Sequence, residues 1–380
     1  MEAIKVFLCG GPHSGKTVYL ASLYNALRVA DKRIGLRCET SATARALLSA
    51  IYNRLGRTWP AGNELEEQHE IPLDFYLDNE DRDTFIATRI IFYDFSGEAV
   101  VPGGALQFAH SKRMEEIKEL ADQCDVVISV LDGQFVYESL HENDGDAVPE
   151  LLDLVAATLQ YWDDAKVRGR NRRQNHYFLV TKWDMFEDSD EMLSRVSDMI
   201  FDIPAVESYI DGLDDSAVVR VIPVSAVGKG FAEPIDGGHY MKIIAKKPST
   251  PINVDIPVAS LLPDLVNAEL DRSLEELNEA GYRESQRKIP WWKRLANIIG
   301  RSPTLHRLVL DLGIHQDDVE RISTALQSPM LKTEAQRDAK IAELAAQASS
   351  QREAAAILHN HFDTIRSRFE AAYPSSLIRG

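Results

Sequence analysis

The chain has 380 residues, of which 44% are apolar and 27% charged, a globular composition with enough apolar residues for a large core. Its 42 Lys and Arg residues against 59 Asp and Glu residues give a net charge of −17, which argues against non-specific nucleic-acid binding through a broad basic face. The charge is uneven, because residues 1–250 carry 26 basic and 41 acidic residues whereas residues 251–380 carry 16 and 18.

The cysteine content and the hydropathy pattern indicate the cellular compartment. Cys9, Cys38 and Cys124 form neither a disulfide framework nor a metal-ligand pattern. No stretch has the pattern of a signal peptide or approaches the roughly 18 consecutive apolar residues of a membrane-spanning helix. We therefore expect a cytoplasmic protein.

The first 230 residues alternate short apolar segments with longer amphipathic ones, a pattern typical of a parallel sheet flanked by helices. We predict strands at 4–8, 71–77, 85–92, 125–131, 176–180 and 218–224, of which the second and third form a pair joined by an acidic turn. We predict helices at 17–29, 148–166 and 189–200. Residues between the first helix and position 70 show poor periodicity.

The pattern changes after residue 230. Residues 232–263 contain five prolines and two adjacent glycines, which is typical of a linker or of the edge of a folded module. Beyond it the chain is largely helical, with one segment at 258–280. Between 340 and 372, apolar residues recur at heptad spacing in two rows, at Ile341, Ala348, Ala355, Phe362 and Phe369 and at Leu344, Leu358, Ile365 and Ala372.

Residues 10–17 read GGPHSGKT and match G-x-x-x-x-G-K-[ST] directly after a strand and before a helix. Gly10 and Gly15 allow a backbone that points amide groups at phosphate oxygens, while Lys16 reaches the β- and γ-phosphates and the Thr17 hydroxyl ligates magnesium. The alternative is a chance glycine-rich turn. The remaining residues expected to contact nucleotide here are His13, Ser14 and Val18, with His13 facing solvent or packing rather than carrying a proton.

The predicted strand at 85–92 leads into DFSGE, which contains the pattern D-x-x-G. An aspartate at this position, Asp94, can hold magnesium through water, and the amide of Gly97 can sense the γ-phosphate. Taken alone, the pattern could be a turn that ends a strand. Its place at the end of the second long strand after the glycine-rich loop favours the nucleotide interpretation.

Two further segments favour guanine over adenine. In TKWD the carboxylate of Asp184 can accept hydrogen bonds from guanine N1–H and its exocyclic amine, whereas adenine would leave that carboxylate unpaired. The stem of Lys182 can lie over the base. After the strand at 218–224, Ser225 and Ala226 can offer a backbone amide to the guanine carbonyl oxygen. TKWD alone could also be an ordinary surface turn.

The four segments resemble the motifs of translation-factor-class small GTPases of the Ras and Arf kind, in this order and each at the end of a strand: GGPHSGKT, DFSGE, TKWD and SA. The resemblance covers about residues 1–230. Within that class, GGPHSGKTVYLASLY and the long C-terminal extension resemble the double-GTPase group associated with bacterial conflict and regulatory systems. The resemblance implies an α/β fold: a three-layer α/β/α P-loop G domain at 1–250 with a mainly helical C-terminal domain or extension at 251–380. It also implies that Mg²⁺ and GTP bind, that GTP is hydrolysed to GDP and phosphate, and that a protein partner senses the nucleotide.

The sequence departs from the family pattern at two positions. The family commonly has glutamine after D-x-x-G, whereas this chain has Glu98. With Lys16, Gly97 and Glu98 as the catalytic residues, we expect slow intrinsic hydrolysis that a cation from a partner relieves, because a carboxylate adds negative charge near phosphate. Glu98 as a solvated loop residue is the alternative. The threonine that completes the magnesium site is ambiguous among Thr40, Thr43 and Thr58, and we choose Thr58.

Other functions explain the pattern less well. A scaffold that holds nucleotide without hydrolysing it is the main alternative, and an ATP-dependent kinase or motor does not explain TKWD. The C-terminal helices are expected to bind a protein effector or to mediate self-association through their heptad face. Residues 289–301 are basic and amphipathic, and we expect them to pack on the main domain rather than to contact a membrane. His359 and His361 do not share a helix face and are interpreted as core or surface residues.

Overall fold

The computed structural model describes residues 3–30, 36–60, 68–79, 83–95, 116–117, 119–141, 174–235, 241–248, 250–279, 302–312, 316–326, 331 and 333–380. In chain order its regular elements are β1 (Ile4–Cys9), α1 (Lys16–Ala30), β2 (Leu36–Glu39), α2 (Ala42–Arg54), β3 (Gln68–Asp78), β4 (Thr84–Phe95), β5 (Val126–Leu131), α3 (Gly133–His141), β6 (Asn175–Val180), α4 (Asp190–Phe201), α5 (Pro204–Asp211), β7 (Val219–Pro223), β8 (Ala232–Pro234), β9 (Met241–Ile243), α6 (Ile256–Glu279), α7 (Pro303–Asp311), α8 (Gln316–Leu326), α9 (Glu334–Ala346), α10 (Gln351–Ala372) and β10 (Leu377–Arg379).

An eight-stranded sheet in the order β10-β7-β6-β5-β1-β4-β3-β2 forms the centre of the molecule. The five strands from β7 to β4 run parallel, while β10, β3 and β2 are antiparallel to their neighbours. Every residue of β5 and β6 is buried, as expected for central strands covered by helices on both faces. The predicted α/β architecture with a helical C-terminal region is confirmed, and the carboxyl ends of the parallel strands meet at one edge of the sheet.

The segment before β3 contains two elements that the sequence pattern did not predict, β2 and α2. β2 has only four residues, and one of them is buried. In α2 the buried residues are Ala44 and Leu48, so its apolar periodicity is faint, although Ser41 caps its N-terminus through the Ala44 amide. The predicted helix at 148–166 lies outside the described residues.

The C-terminal helices pack on the same sheet as the elements before them. α10 contacts α6 and β4, and Phe362 on α10 meets Phe75 on β3 edge to face, with ring centroids 5.5 Å apart. β10 then adds to the outer edge of β7. The division of the chain near residue 250 stays a prediction.

The heptad rows between 340 and 372 lie on two helices, because Ser350 caps the N-terminus of α10 by accepting from the Glu353 amide. Most residues of both rows are buried within the chain, namely Ile341, Leu344, Ala348, Ala355, Leu358, Phe362 and Phe369. The apolar face predicted for self-association is therefore largely used in the intramolecular core. Among the described residues no helix is long and apolar enough to cross a membrane. Residues 289–301 lie outside the described part.

Candidate nucleotide-binding site

The loop between β1 and α1 has a backbone that glycine adopts readily. Gly10 has φ +154° and Gly15 has φ +91°, and L side chains rarely take these values. A Cβ on Gly10 would also lie 2.5 Å from the carbonyl oxygen of Val130 on β5. His13 is exposed and takes φ +60°. The loop therefore turns tightly at the sheet edge and leads into the N-terminus of α1, where the first backbone amides have no partner within the helix.

Lys16 begins α1 and folds back over this loop. Its ammonium group donates to the carbonyl oxygens of Gly10 at 2.6 Å and Gly11 at 3.0 Å. The hydroxyl of Ser14 donates to the same Gly11 oxygen over 2.9 Å. Burial lowers the pKa of Lys16, and the nearby Asp94 carboxylate opposes that shift. The loop thus holds a buried cation at the carboxyl end of β1.

Thr17 and Asp94 meet beside that cation. Asp94 lies near the end of β4, opposite Leu8 in the parallel register with β1, and is fully buried. The hydroxyl of Thr17 donates to its carboxylate over 3.4 Å. A hydroxyl and a carboxylate are hard oxygen donors of the type that magnesium prefers, so this pair fits a magnesium site that substrate phosphates and water complete. Within the described residues, no three or more His, Cys, Asp or Glu side chains form a metal-binding group of their own.

Thr181, the residue directly after β6, joins three strands at this edge. Its hydroxyl contacts the carbonyl oxygens of Ser14 at 2.8 Å and Leu131 at 3.0 Å. The first of these lies in the glycine-rich loop and the second at the end of β5. TKWD and GGPHSGKT, whose first residues are 171 positions apart on the chain, are therefore in direct contact.

Asp184 and Ser225 follow β6 and β7, which are two and three strands away from β1, the strand before the glycine-rich loop. The Ser225 hydroxyl donates to the Asp184 carboxylate over 2.5 Å and accepts from the amide of Gly228 at 2.9 Å. Burial raises the pKa of Asp184, while the hydrogen bond from Ser225 and the charges of Lys182 and Lys229 oppose the shift. TKWD and SA, which were predicted separately, therefore form one unit.

The remaining residues of these motifs are tied to neighbouring elements. The ammonium group of Lys182 lies 2.7 Å from the Asp132 carboxylate. The carbonyl oxygen of Ala226 accepts from the hydroxyl of Ser22 on α1 over 2.6 Å. The helix that starts at the glycine-rich loop is thus bonded directly to the SA segment.

The three candidate threonines lie in different places. Thr40 follows β2 and Thr43 lies in the first turn of α2. β2 is three strand spacings from β1, or about 14 Å at the usual distance between strands. Thr58 is the last threonine before β3, and its exposed hydroxyl donates to the Trp59 carbonyl oxygen over 3.1 Å. The magnesium role of Thr58 stays a prediction.

A small apolar cluster separate from the main core joins the Thr58 segment to the loop that follows β7. Its buried members are Leu55, Val227 and Phe231, and Val18 and Trp59 pack against them. The Trp59 ring meets Phe231 edge to face at 5.7 Å, and its Nε1 donates to the carbonyl oxygen of Met241 over 2.6 Å. Val18 therefore contacts protein here rather than standing free in the loop.

Gly97 and Glu98 lie outside the described residues, so their predicted roles stay predictions. Three further residues contact the motif residues at this edge, and the motifs did not predict a site role for them: Thr181, Asp132 and Gly133. Asp132 and Gly133 follow β5 directly and are buried. The available signal was their position, because polar or small residues at the carboxyl end of a central parallel strand lie where α/β proteins bind ligands.

Two comparisons with known proteins give matches, one to solved structures and one to a family model. Solved structures similar to this chain include sup35 complexed with GDP, at 14% identity and TM-score 0.29, covering 62% of this chain and 40% of that chain. The signal recognition particle receptor SRβ-GTP/SRX complex of Chaetomium thermophilum matches at 11% identity and TM-score 0.34, covering 60% and 94%. The cytosolic domain of the T. maritima FeoB iron transporter in a GDP form matches at 11% identity and TM-score 0.27, covering 97% and 98%.

The chain thus spans less than half of the sup35 chain that it matches. No curated protein matches it. The sequence model of the family Double-GTPase 1 matches residues 7–260, which is more than half of the chain and includes all four motifs. This protein therefore belongs to the Double-GTPase 1 family.

Proposed function

We propose that this protein is a GTP-binding switch, which binds Mg-GTP at the carboxyl edge of its sheet and hydrolyses it slowly to GDP and phosphate. The observation that carries the proposal is the contact chain from the phosphate loop to the base-recognition carboxylate. Thr181 bonds Ser14 in the loop, and three residues later Asp184 is oriented by Ser225. These contacts supply a phosphate end and a base end at one edge of one sheet.

The base end selects guanine in this proposal. A carboxylate is a double acceptor, which matches the two adjacent donors of guanine and leaves adenine with an unsatisfied contact. Ser225 holds one oxygen of Asp184, so the carboxylate cannot rotate freely away from a base. The backbone at Ser225 and Ala226 would face the guanine carbonyl, and Lys182 would cover the plane of the ring.

The phosphate end would use residues 10–18, which form the loop after β1 and the first turn of α1, with His13, Ser14 and Gly15 supplying backbone. Lys16 would turn from its carbonyl partners to the β- and γ-phosphates. Thr17, Asp94 and the predicted Thr58 would hold magnesium, which supplies charge neutralisation at the transferring phosphoryl group.

Hydrolysis is expected to be slow because of Glu98. We propose that the Gly97 amide orients the γ-phosphate and that the Glu98 carboxylate orients the attacking water. A carboxylate adds negative charge beside a phosphoryl group that already carries it. A partner that contributes a cation would then accelerate the reaction.

The proposed relay to a protein partner runs through β4 and α10. Asp94 lies on β4, and α10 packs on that strand. Because most of the heptad rows are buried, an effector or a second copy of the chain would use the outer faces of the C-terminal helices rather than the predicted apolar face. The composition favours a cytoplasmic protein without a nucleic-acid partner.

Nucleotide binding to the purified full chain tests the base assignment. Fluorescent guanosine and adenosine diphosphates, and xanthosine diphosphate for Asp184→Asn, are titrated in the presence of magnesium. Asp184→Asn is the probe, and Glu187→Gln is a control that removes an exposed carboxylate three residues away. Wild type and Glu187→Gln are expected to bind the guanine form alone. Asp184→Asn is expected to lose that preference and to gain affinity for the xanthine form. Equal affinity of wild type for both bases would overturn the guanine assignment.

Phosphate release from GTP tests the enzymatic part. Wild type is expected to release phosphate slowly but above a Lys16→Ala control, and Glu98→Gln to release it faster. Tight GTP binding with release no faster than the control would instead support a nucleotide-bound scaffold.

A further inference from the structure

Asp132 is a buried carboxylate that directly contacts a residue of the proposed base site. It is 1% exposed and lies 2.7 Å from the ammonium group of Lys182, which is 18% exposed. One of its oxygens also accepts from the Gln134 amide at 2.9 Å, at the start of α3. Asp132 therefore makes two bonds with separate roles: one caps a helix and the other holds a lysine.

The strand order fixes the direction in which Lys182 extends. Asp132 follows β5, which lies between β1, the strand before the phosphate loop, and β6, the strand before Lys182. The lysine side chain thus runs from the loop after β6 toward the end of β5, which is toward the phosphate loop. A nucleotide with its base at Asp184 and its phosphates at Lys16 would pass along this stem.

The backbone at Lys182 supports the same conclusion. Lys182 has φ +53°, a left-handed conformation that a residue with a Cβ rarely takes. Such a conformation persists only where surrounding contacts impose it. Here the flanking residues supply them, because Thr181 bonds two carbonyl oxygens and Trp183 is fully buried. The Asp132 carboxylate fixes the end of the side chain in turn.

Gly133 allows the turn after β5 to reach this loop. A Cβ at Gly133 would lie 1.8 Å from the carbonyl oxygen of Thr181, so the two backbones are in direct contact. The contact continues outward, because Tyr137 on α3 meets Phe186 edge to face at 5.4 Å. The start of α3 is therefore a rigid support for the TKWD loop.

We propose that Asp132 is a positioning residue for guanine-nucleotide affinity, which acts by holding the Lys182 side chain along the face of the base. This inference rests on the proposed function, because it assigns no ligand of its own. Asp132 would touch Lys182 and not the nucleotide.

A double-mutant cycle on nucleotide affinity tests the proposal with the full chain. Asp132→Asn keeps an oxygen for the Gln134 amide and withdraws the charge from Lys182. Lys182→Met keeps an apolar stem of similar length and removes the ammonium group. Asp132→Asn is expected to raise the dissociation constant for GDP about tenfold, which is roughly 1.4 kcal/mol. In the Lys182→Met background the same change is expected to have less than about a twofold effect, because residues that act as one unit are not additive.

The controls separate positioning from folding. Glu138→Gln removes a carboxylate that lies on the same helix and bonds the Gln134 side chain. This variant is expected to leave GDP affinity unchanged. Competition by inorganic pyrophosphate, which lacks a base, is expected to be equal in wild type and Asp132→Asn. If Asp132→Asn does not fold, Asp132→Ser, which also offers a cap oxygen, replaces it.

The outcomes distinguish the two hypotheses. Unchanged GDP affinity in Asp132→Asn, or equal effects of that change with and without Lys182, would overturn the positioning role alone. A wild-type chain that binds pyrophosphate but no guanine nucleotide would overturn the proposed function and this inference with it.

Discussion

Arg220 on β7 and Asp264 on α6 form a buried bidentate ion pair, with Nε and Nη2 of the guanidinium 2.5 and 2.7 Å from the two carboxylate oxygens. Each side chain is 1% exposed. Asp264 also accepts from the Tyr177 hydroxyl at 2.6 Å and from Arg366 on α10 at 2.9 Å. A single carboxylate thus bonds two strands of the sheet to two helices beyond residue 250, so those helices are fastened to the sheet by charge as well as by apolar packing.

Asp264→Ala is expected to lower the free energy of unfolding by about 3–5 kcal/mol, because it removes the buried carboxylate that Arg220 and Arg366 share and leaves them only the more exposed Glu370 and Asp363. The cations hold the pKa of Asp264 below its ordinary value, although burial alone would raise it, so the carboxylate is charged at neutral pH. Urea unfolding followed by circular dichroism measures the change. Asp74→Ala breaks the exposed pair with Arg89, whose side chain is 49% exposed, and is expected to cost less than about 1 kcal/mol. Equal losses in the two variants would show that the buried network does not stabilise the fold.

Gly133→Ala is expected to weaken GDP binding at least about tenfold. The added Cβ would lie 1.8 Å from the carbonyl oxygen of Thr181, so the Thr181 backbone must move away. Gly230→Ala is the matched comparison. Gly230 has φ +73° but no atom within 4 Å of the added Cβ, so alanine there costs about 1–2 kcal/mol of stability without moving the site. Titration with fluorescent GDP, together with the unfolding midpoint, measures both effects. A Gly230→Ala variant that loses as much GDP affinity as Gly133→Ala would indicate general destabilisation instead.

Gly56→Ala is expected to separate the segment that carries Thr58 from the segment that follows β9. The added Cβ would lie 1.7 Å from the carbonyl oxygen of Lys246, in the segment that follows β9, so the two backbones must separate. Trp59, which bonds Met241 across this contact, would then become accessible. Acrylamide quenching of tryptophan fluorescence measures this accessibility, and the contribution of Trp59 is isolated by subtracting the spectrum of Trp59→Phe. Unchanged quenching would show that the contact survives the substitution.

Ser225→Ala is expected to shift the acid limb of GDP binding to higher pH. The Ser225 hydroxyl stabilises the charged form of Asp184 and so opposes the rise in its pKa that burial causes. Without that hydroxyl the pKa of Asp184 rises further, and the carboxylate that accepts from guanine is protonated at a higher pH on acidification. Dissociation constants measured between pH 4 and pH 8 give the midpoint. Asp184→Asn serves as the control, because it has no carboxylate to titrate and should lack this limb.

The sequence indicates which polar residues lie at strand ends more clearly than it indicates the elements around them, and the reason is physical. Lys16, Asp184 and Ser225 come soon after buried apolar strands and Asp94 lies near the end of one, and parallel strands bring such positions to one edge. The pairing of Ser225 with Asp184 and of Asp132 with Lys182 depends on which strands are neighbours, and a single sequence does not specify strand order. β2 and α2 were missed because short or weakly amphipathic elements rely on tertiary contacts rather than on their own periodicity.

The pH dependence of folding is expected to contain a contribution from His359, which is fully buried on α10. Burial, with a smaller effect of the positive charge of Arg366, lowers its pKa from the ordinary 6.5 to about 3. Below pH 6.5 the unfolded chain binds a proton at this residue that the folded chain does not, so stability falls as the pH drops from about 6.5 toward 3. The slope from one such group is at most about 1.4 kcal/mol per pH unit.

His359→Gln is expected to flatten the stability profile between pH 6.5 and pH 4, relative to wild type and to a His306→Gln control in which an exposed histidine of α7 is replaced. Urea unfolding at each pH measures the profiles. Parallel profiles for wild type and His359→Gln would contradict the assignment, because the acid sensitivity would then come from carboxylates such as Asp264 alone.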